Sequence, residues 1–242
     1  MDQATKPKIW IAPREDDIEF PPPLEAGDRL TRFEFERRCE AMPHVKKAEL
    51  IEGVAYVTHS VTASHGSAHG ELVGWLGTYS ASTPGVDAAN NATVRLDLDN
   101  EVQPDALLRL ETDSGGHSRI TADDYIEGAP ELIVEIAGTS AAIDLHDKLR
   151  AYRRNGIQEY IVWRVYTKRI DWLRLSEGEY VALPSDDAGV VHSQVFPGLR
   201  LSVSRLIEGD LAAVLAELQN GLASPEHAAF IEKLAQAKQE AK

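Results

Sequence analysis

PELIVEIAGTS, residues 130–140, is the stretch on which the fold of this chain turns. Leu132, Ile133, Val134 and Ile136 form a short apolar run closed by Gly138, the pattern of a buried strand. Glu135 sits in its middle. An ionised carboxylate in an apolar sheet is costly unless a cation, a metal or several donors meet it. The strand therefore calls for a partner elsewhere in the sequence.

Alternation places Ile133, Glu135 and Ala137 on one face and Leu132, Val134 and Ile136 on the other. A second strand acid lies some thirty residues earlier, in VQPDALLRL, where Asp105 follows Pro104. If the two strands are neighbours, both carboxylates project to one side, and such a pair suits Mg²⁺, which takes one or two carboxylates plus waters and phosphate oxygens. Taken alone, Asp105 also fits a turn acid after proline. Many metal-dependent nucleases carry a lysine two residues after such a glutamate, where it orients water or offsets developing charge. Ala137 occupies that place here, and the nearest replacement is Lys148 in DLHDKLRAY, on the next helix. A structural Glu135–Lys148 ion pair is the plain alternative. Asp144, four residues before Lys148, reads first as a helix cap.

Outward from this centre the chain reads as an α+β domain, a central mixed β-sheet flanked by helices. Residues 1–28, with Pro21, Pro22 and Pro23 in a row, form an irregular arm. Residues 29–207 carry the main domain, and 208–242 a C-terminal helical extension with helices capped by Asp210 and Ser224. Thr31 and Glu34 have the spacing of a capping box ahead of a short helix. AELIEGVAYVT reads as two strands turning at Glu52-Gly53, and SHGSAHGELVGWLGTYS as a helix. ATVRLDL and DALLRL are strands joined by a polar turn, DNEVQP, and a loop, ETDSGGHSR, follows them. DLHDKLRAYRRNGI is a helix ended by Asn155-Gly156, and EYIVWRV, RIDWLRL and YVALP complete the sheet.

The composition bounds the function. The 242 residues, 43% hydrophobic, suffice for one substantial core. The net charge of −14 excludes a protein that coats nucleic acid non-specifically, so any nucleic-acid role needs a local basic patch or a metal. Arg150, Arg153 and Arg154, beside Lys148, are the basic cluster nearest the acids, either a solvated face or a phosphate contact. His65 and His69, four apart, suit a polar helix end facing substrate better than a zinc pair, since no glutamate follows His65. The single cysteine, Cys39, has no evident activating partner. No apolar window of about eighteen residues and no secretory pattern are present, so a cytoplasmic protein without membrane partners is expected.

The succession AELIEG, the HG helix, TVRLD, QPDALL, GAPELIVEI, DLHDKLRAYRRNGIQEYIVWRV and VFPGLRL, over residues 30–207, resembles the bacterial putative restriction endonuclease family, a branch of the PD-(D/E)XK nuclease superfamily. The resemblance implies a restriction-endonuclease-like core and Mg²⁺- or Mn²⁺-dependent cleavage of DNA phosphodiesters, with a homodimer expected by analogy. It places the metal ligands at Asp105 and Glu135, the migrated lysine at Lys148, and a further catalytic acid and metal ligand at Glu49. Ala48 replaces the usual aromatic before that glutamate, and EIAGTS replaces the commoner ending of two aliphatics and Ser-Pro-Ser. The rival reading is a nuclease fold kept for binding or regulation without turnover.

Overall fold

The computed structural model describes residues 21–45, 47–58, 61–138 and 143–241, with the backbone alone at residues 58, 143 and 144. In chain order the strands are β1 (Lys47–Ile51), β2 (Val54–Thr58), β3 (Val86–Asn90), β4 (Val94–Arg95), β5 (Glu101–Val102), β6 (Ala106–Leu110) and β7 (Ser118–Ile120). They continue with β8 (Ile126–Gly128), β9 (Leu132–Ala137), β10 (Glu159–Arg164), β11 (Arg169–Ser176), β12 (Glu179–Ala182), β13 (Val190–His192) and β14 (Arg200–Ser202). The helices are α1 (Arg32–Glu40), α2 (Ala63–Ala81), α3 (Lys148–Arg154), α4 (Val203–Ile207), α5 (Leu211–Leu222) and α6 (Pro225–Glu240).

The opening stretch is β9, and it is central: the main sheet runs β12-β11-β10-β9-β6-β3. β9 pairs parallel with β10 and antiparallel with β6, which makes the sheet mixed. The parallel pair needs a crossover, and α3 is part of it. Every β9 residue is buried, which explains its unbroken apolar run. On one face Leu132, Val134 and Ile136 pack in a core with Leu72, Trp75, Leu76 and Tyr79 of α2. Those α2 residues recur at helical spacing, and burying each is worth roughly 1.5–3 kcal/mol. The indole and phenol tips are satisfied on the chain that closes the core, Trp75 Nε1 donating to Arg200 O (3.0 Å) and Tyr79 Oη to Pro197 O (2.9 Å). Val214 and Leu218 of α5 and Phe230 and Leu234 of α6 join the same core. The expected caps are present there, Asp210 accepting from Ala213 N and Ser224 from His227 N.

The other face of β9 meets α3 and a second sheet, β2-β1-β5-β4-β8-β7. Ile133 and Ala137 share a core with Tyr152 of α3 and with Ile51, Val94, Val102 and Ile126 of that sheet. The predicted hairpin is seen, with positive φ at both Glu52 (51°) and Gly53 (74°), as a tight two-residue turn requires.

Several local expectations are corrected. DNEVQP is not a simple turn: it contains β5, which pairs with β1 and β4. The loop ETDSGGHSR contains a 3-10 turn, Thr112–Ser114, and the start of β7. Strands of two or three residues offer too little alternation to be seen in sequence. Thr31 precedes α1 without a side-chain cap, and Glu34 turns to Arg37 and Arg38. The helix after β9 opens as a π-helical turn, Ile143–Asp147, before α3. The expected cap at Asp144 falls on a side chain outside the described set, and residues 1–20 of the arm and 139–140 of the opening stretch lie outside it too.

In the second sheet, Glu101 of β5 is buried beside the Glu36 carboxyl of α1, with Arg95 Nε 2.8 Å from Glu36 and 3.6 Å from Glu101. Burial and then Glu36 push the Glu101 carboxyl up to about 8, against the pull of Arg95 and Arg32. Between its ordinary 4.5 and about 8 the folded chain keeps a proton that the unfolded chain has lost, so stability falls as pH rises through that window. Glu101→Gln should remove this slope. Melting temperatures of both proteins from about pH 5 to about pH 9 check it, and parallel curves would refute it.

Candidate active site

Residues opposite one another in an antiparallel pair share a face of the sheet. Ala106 of β6 is paired with Val134 of β9, so one step outward Asp105 stands opposite Glu135. The Ile136 N–H donates to Asp105 Oδ2 at 2.7 Å, tying the two strands at this point. Both acids are buried, at 3% and 2% exposure. Across from them β1 brings in Glu49, whose Oε1 accepts from Gln103 N at 2.7 Å.

What meets Glu135 is α3. Lys148 Nζ lies 2.9 Å from Glu135 Oε1 and 3.0 Å from Glu49 Oε1, one ammonium bridging two buried carboxylates. One turn further on, the Tyr152 hydroxyl donates to the same Glu135 oxygen at 2.7 Å. Burial, and next the Glu135 charge, raise the Tyr152 phenol far above its usual range, so it stays a donor.

Asp105 has a different set of neighbours. Its Oδ1 lies 3.4 Å from Lys47 Nζ and 3.3 Å from His65 Nε2. His69 Nε2 is 2.9 Å from the Asp105 carbonyl and 3.3 Å from Asn91 Nδ2. Burial alone would raise the Asp105 carboxyl, but the His65 contact, the Lys47 charge and the Ile136 N–H hold it well below the ordinary carboxylate range. For Lys47, burial is outweighed by Asp105, Glu135 and Glu49, which keep it charged.

The structure thus gathers Glu49, Asp105, Glu135 and Lys148 into one cluster. Sequence reading missed Lys47 and Tyr152. Both were within reach of spacing arguments, since Lys47 is two before Glu49 on one strand face and Tyr152 four after Lys148 on one helix face. The cluster differs from two other buried acids. Glu159 accepts from Trp172 Nε1, Ser193 Oγ, Gln194 N and Val195 N, and Glu131 accepts from Leu110 N and His117 N and lies 3.0 Å from His117 Nδ1. Glu159 is met by uncharged donors, whereas this cluster sets the carboxylates of Glu49, Asp105 and Glu135 against the ammonium groups of Lys47 and Lys148.

The family model for Uma2, described as "Putative restriction endonuclease", matches residues 33–204. The chain belongs to that family. Its matched span includes every residue of the cluster. Among solved structures it is similar to "a putative nuclease belonging to DUF820 from Anabaena variabilis ATCC 29413". The TM-score is 0.53 at 15% identity, over 66% of this chain and 89% of that one, a likeness of fold. No curated protein matches.

A divalent ion at this site would need hard oxygen ligands and open positions for water and phosphate. Among the described residues, no three Asp, Glu, His or Cys side chains converge as a ready-made metal cage. The facing pair Asp105–Glu135 nonetheless offers hard oxygen ligands in the number Mg²⁺ takes from a protein, leaving positions for water and phosphate. The residues fit.

Features nearby are plain. Arg150 pairs with Asp147 and Glu52, Arg154 with Glu52 and Asp97, and Arg153 with Glu179, so this basic cluster is an ion-paired surface. Burial pushes the Cys39 thiol up to about 11, the opposite of activation. No helix among the described residues is long and apolar enough to cross a membrane.

Proposed function

We propose that this chain is a divalent-metal-dependent endonuclease that hydrolyses phosphodiester bonds in DNA. The observation that supports it best is the register that sets Asp105 opposite Glu135 on one buried face, within reach of lysines and a tyrosine. Asp105 and Glu135 hold the ion, Mg²⁺ or Mn²⁺, and Glu49 stands beside them as a further ligand or as the acceptor that orients a water. When bound, the ion supplies Lewis-acid polarisation of the phosphate and an activated water. The protein's own part is orientation. Tyr152 and Lys148 pin one oxygen of Glu135, Lys148 spans to Glu49, and Ile136 N–H fixes the rotamer of Asp105. Asp105 is ionised at neutral pH, so no proton has to leave before the ion is taken up.

Cleavage of both strands of a duplex suits a homodimer, which sedimentation of the purified protein with and without DNA would measure. Activity is tested on plasmid and on single-stranded DNA with Mg²⁺, Mn²⁺ or EDTA. Cutting that requires either ion is expected. Absence of cutting on every substrate, or equal cutting in EDTA, would sink the reading and favour a binding module that keeps the fold without turnover.

A further inference from the structure

We infer that Lys47, rather than Lys148, is the cation that contacts the scissile phosphate. The inference rests on the nuclease reading of the same site and divides the work of its two lysines. Lys148 is 3% exposed and bridges Glu49 and Glu135 at 3.0 and 2.9 Å. Turning its ammonium toward a substrate would strip the cation from two buried carboxylates, a costly exchange. Its position makes it a keystone of the acid cluster.

Lys47 is placed the other way. Its side chain is 23% exposed, and among the described residues it pairs with Asp105 Oδ1 at a loose 3.4 Å. It stands at the first position of β1, on the face that carries Glu49, so its stem starts at the rim of the cluster and its head lies over the acid proposed to hold the ion. His65, 20% exposed, approaches the same Asp105 oxygen from α2, which marks this side as the open one. A flexible four-carbon stem lets the ammonium follow a phosphate oxygen over a short distance. With a divalent ion at Asp105 the pull of that carboxylate on Lys47 would weaken, leaving the ammonium able to contact the non-bridging oxygens of the phosphate. Its role is electrostatic, offsetting charge that builds on those oxygens as the water adds and the leaving oxygen departs. No proton leaves it.

Lys47→Met and Lys47→Arg in the full chain test this. One measurement is the rate of cutting with Mn²⁺. The other is the salt dependence of binding to a short single-stranded oligonucleotide in Ca²⁺. Lys47→Met should lower kcat by about 100-fold or more, the scale of losing one preorganised donor, with a smaller fall in melting temperature than Lys148→Met causes. It should also reduce the slope of log K against log salt by about 0.7, one phosphate contact. Lys47→Arg should keep the slope and recover part of the rate. A Lys47→Met protein that cuts within about threefold of native with an unchanged slope overturns the assignment and leaves the nuclease reading standing. A native protein that binds without cutting removes the hydrolysis, and the slope alone then decides the phosphate contact. A native protein that neither binds nor cuts overturns both.

Discussion

Asp105→Asn should abolish metal-dependent cutting while leaving the fold in place. The amide oxygen of asparagine still accepts the Ile136 N–H that now donates to Asp105 Oδ2 at 2.7 Å, so the β6–β9 tie is kept. What goes is the charge, and with it one of the two facing carboxylates. Loss of an outer-shell partner costs about 10–100-fold in metal affinity, so loss of a ligand should exceed about 100-fold. Calorimetric titration with Mn²⁺ measures it directly, apart from any activity. The variant should also loosen Lys47 and His65, whose contacts to Asp105 Oδ1 are already long at 3.4 and 3.3 Å. Native Mn²⁺ affinity in the variant would remove Asp105 from the ligand set, whatever its effect on cutting.

Lys148→Met should produce the largest loss of stability of any single change in the cluster. It removes the ammonium from between Glu49 and Glu135 and leaves two carboxylates, 6% and 2% exposed, facing each other across the gap. Removing one partner of a buried ion pair costs about 3–5 kcal/mol. In a protein of this size each kcal/mol moves the melting temperature by about 2–4 °C, so a fall of roughly 6–20 °C is expected without metal. Mn²⁺ should restore part of it, because a divalent ion offsets the charge that the lysine offset. A melt within about 2 °C of native would show that the bridge contributes little to the fold.

Lys47 and Lys148 illustrate how far sequence reading reaches. Lys148 was visible because a buried strand acid demanded a cation and the following helix offered one. Lys47 shares a strand face with Glu49, a spacing the sequence shows, but nothing local says that β1 lies over β6 and β9. The basic cluster Arg150, Arg153 and Arg154 shows the reverse: its composition left a solvated face and a phosphate contact both open, and Glu52, Asp97, Asp147 and Glu179 pair with it.

Local pattern by itself determined the elements that carry their own signal. The doubly buried run of β9, the Glu52-Gly53 hairpin, the apolar stripe of α2 and the caps at Asp210 and Ser224 depend on spacing and side-chain chemistry within a few residues. The tertiary structure alone decided what depends on pairing at a distance. It set β5 between β1 and β4, Asp105 opposite Glu135, and one lysine between two acids. The physical reason is that spacing fixes which face of a strand or helix a side chain occupies, whereas register and packing between remote segments fix which faces meet.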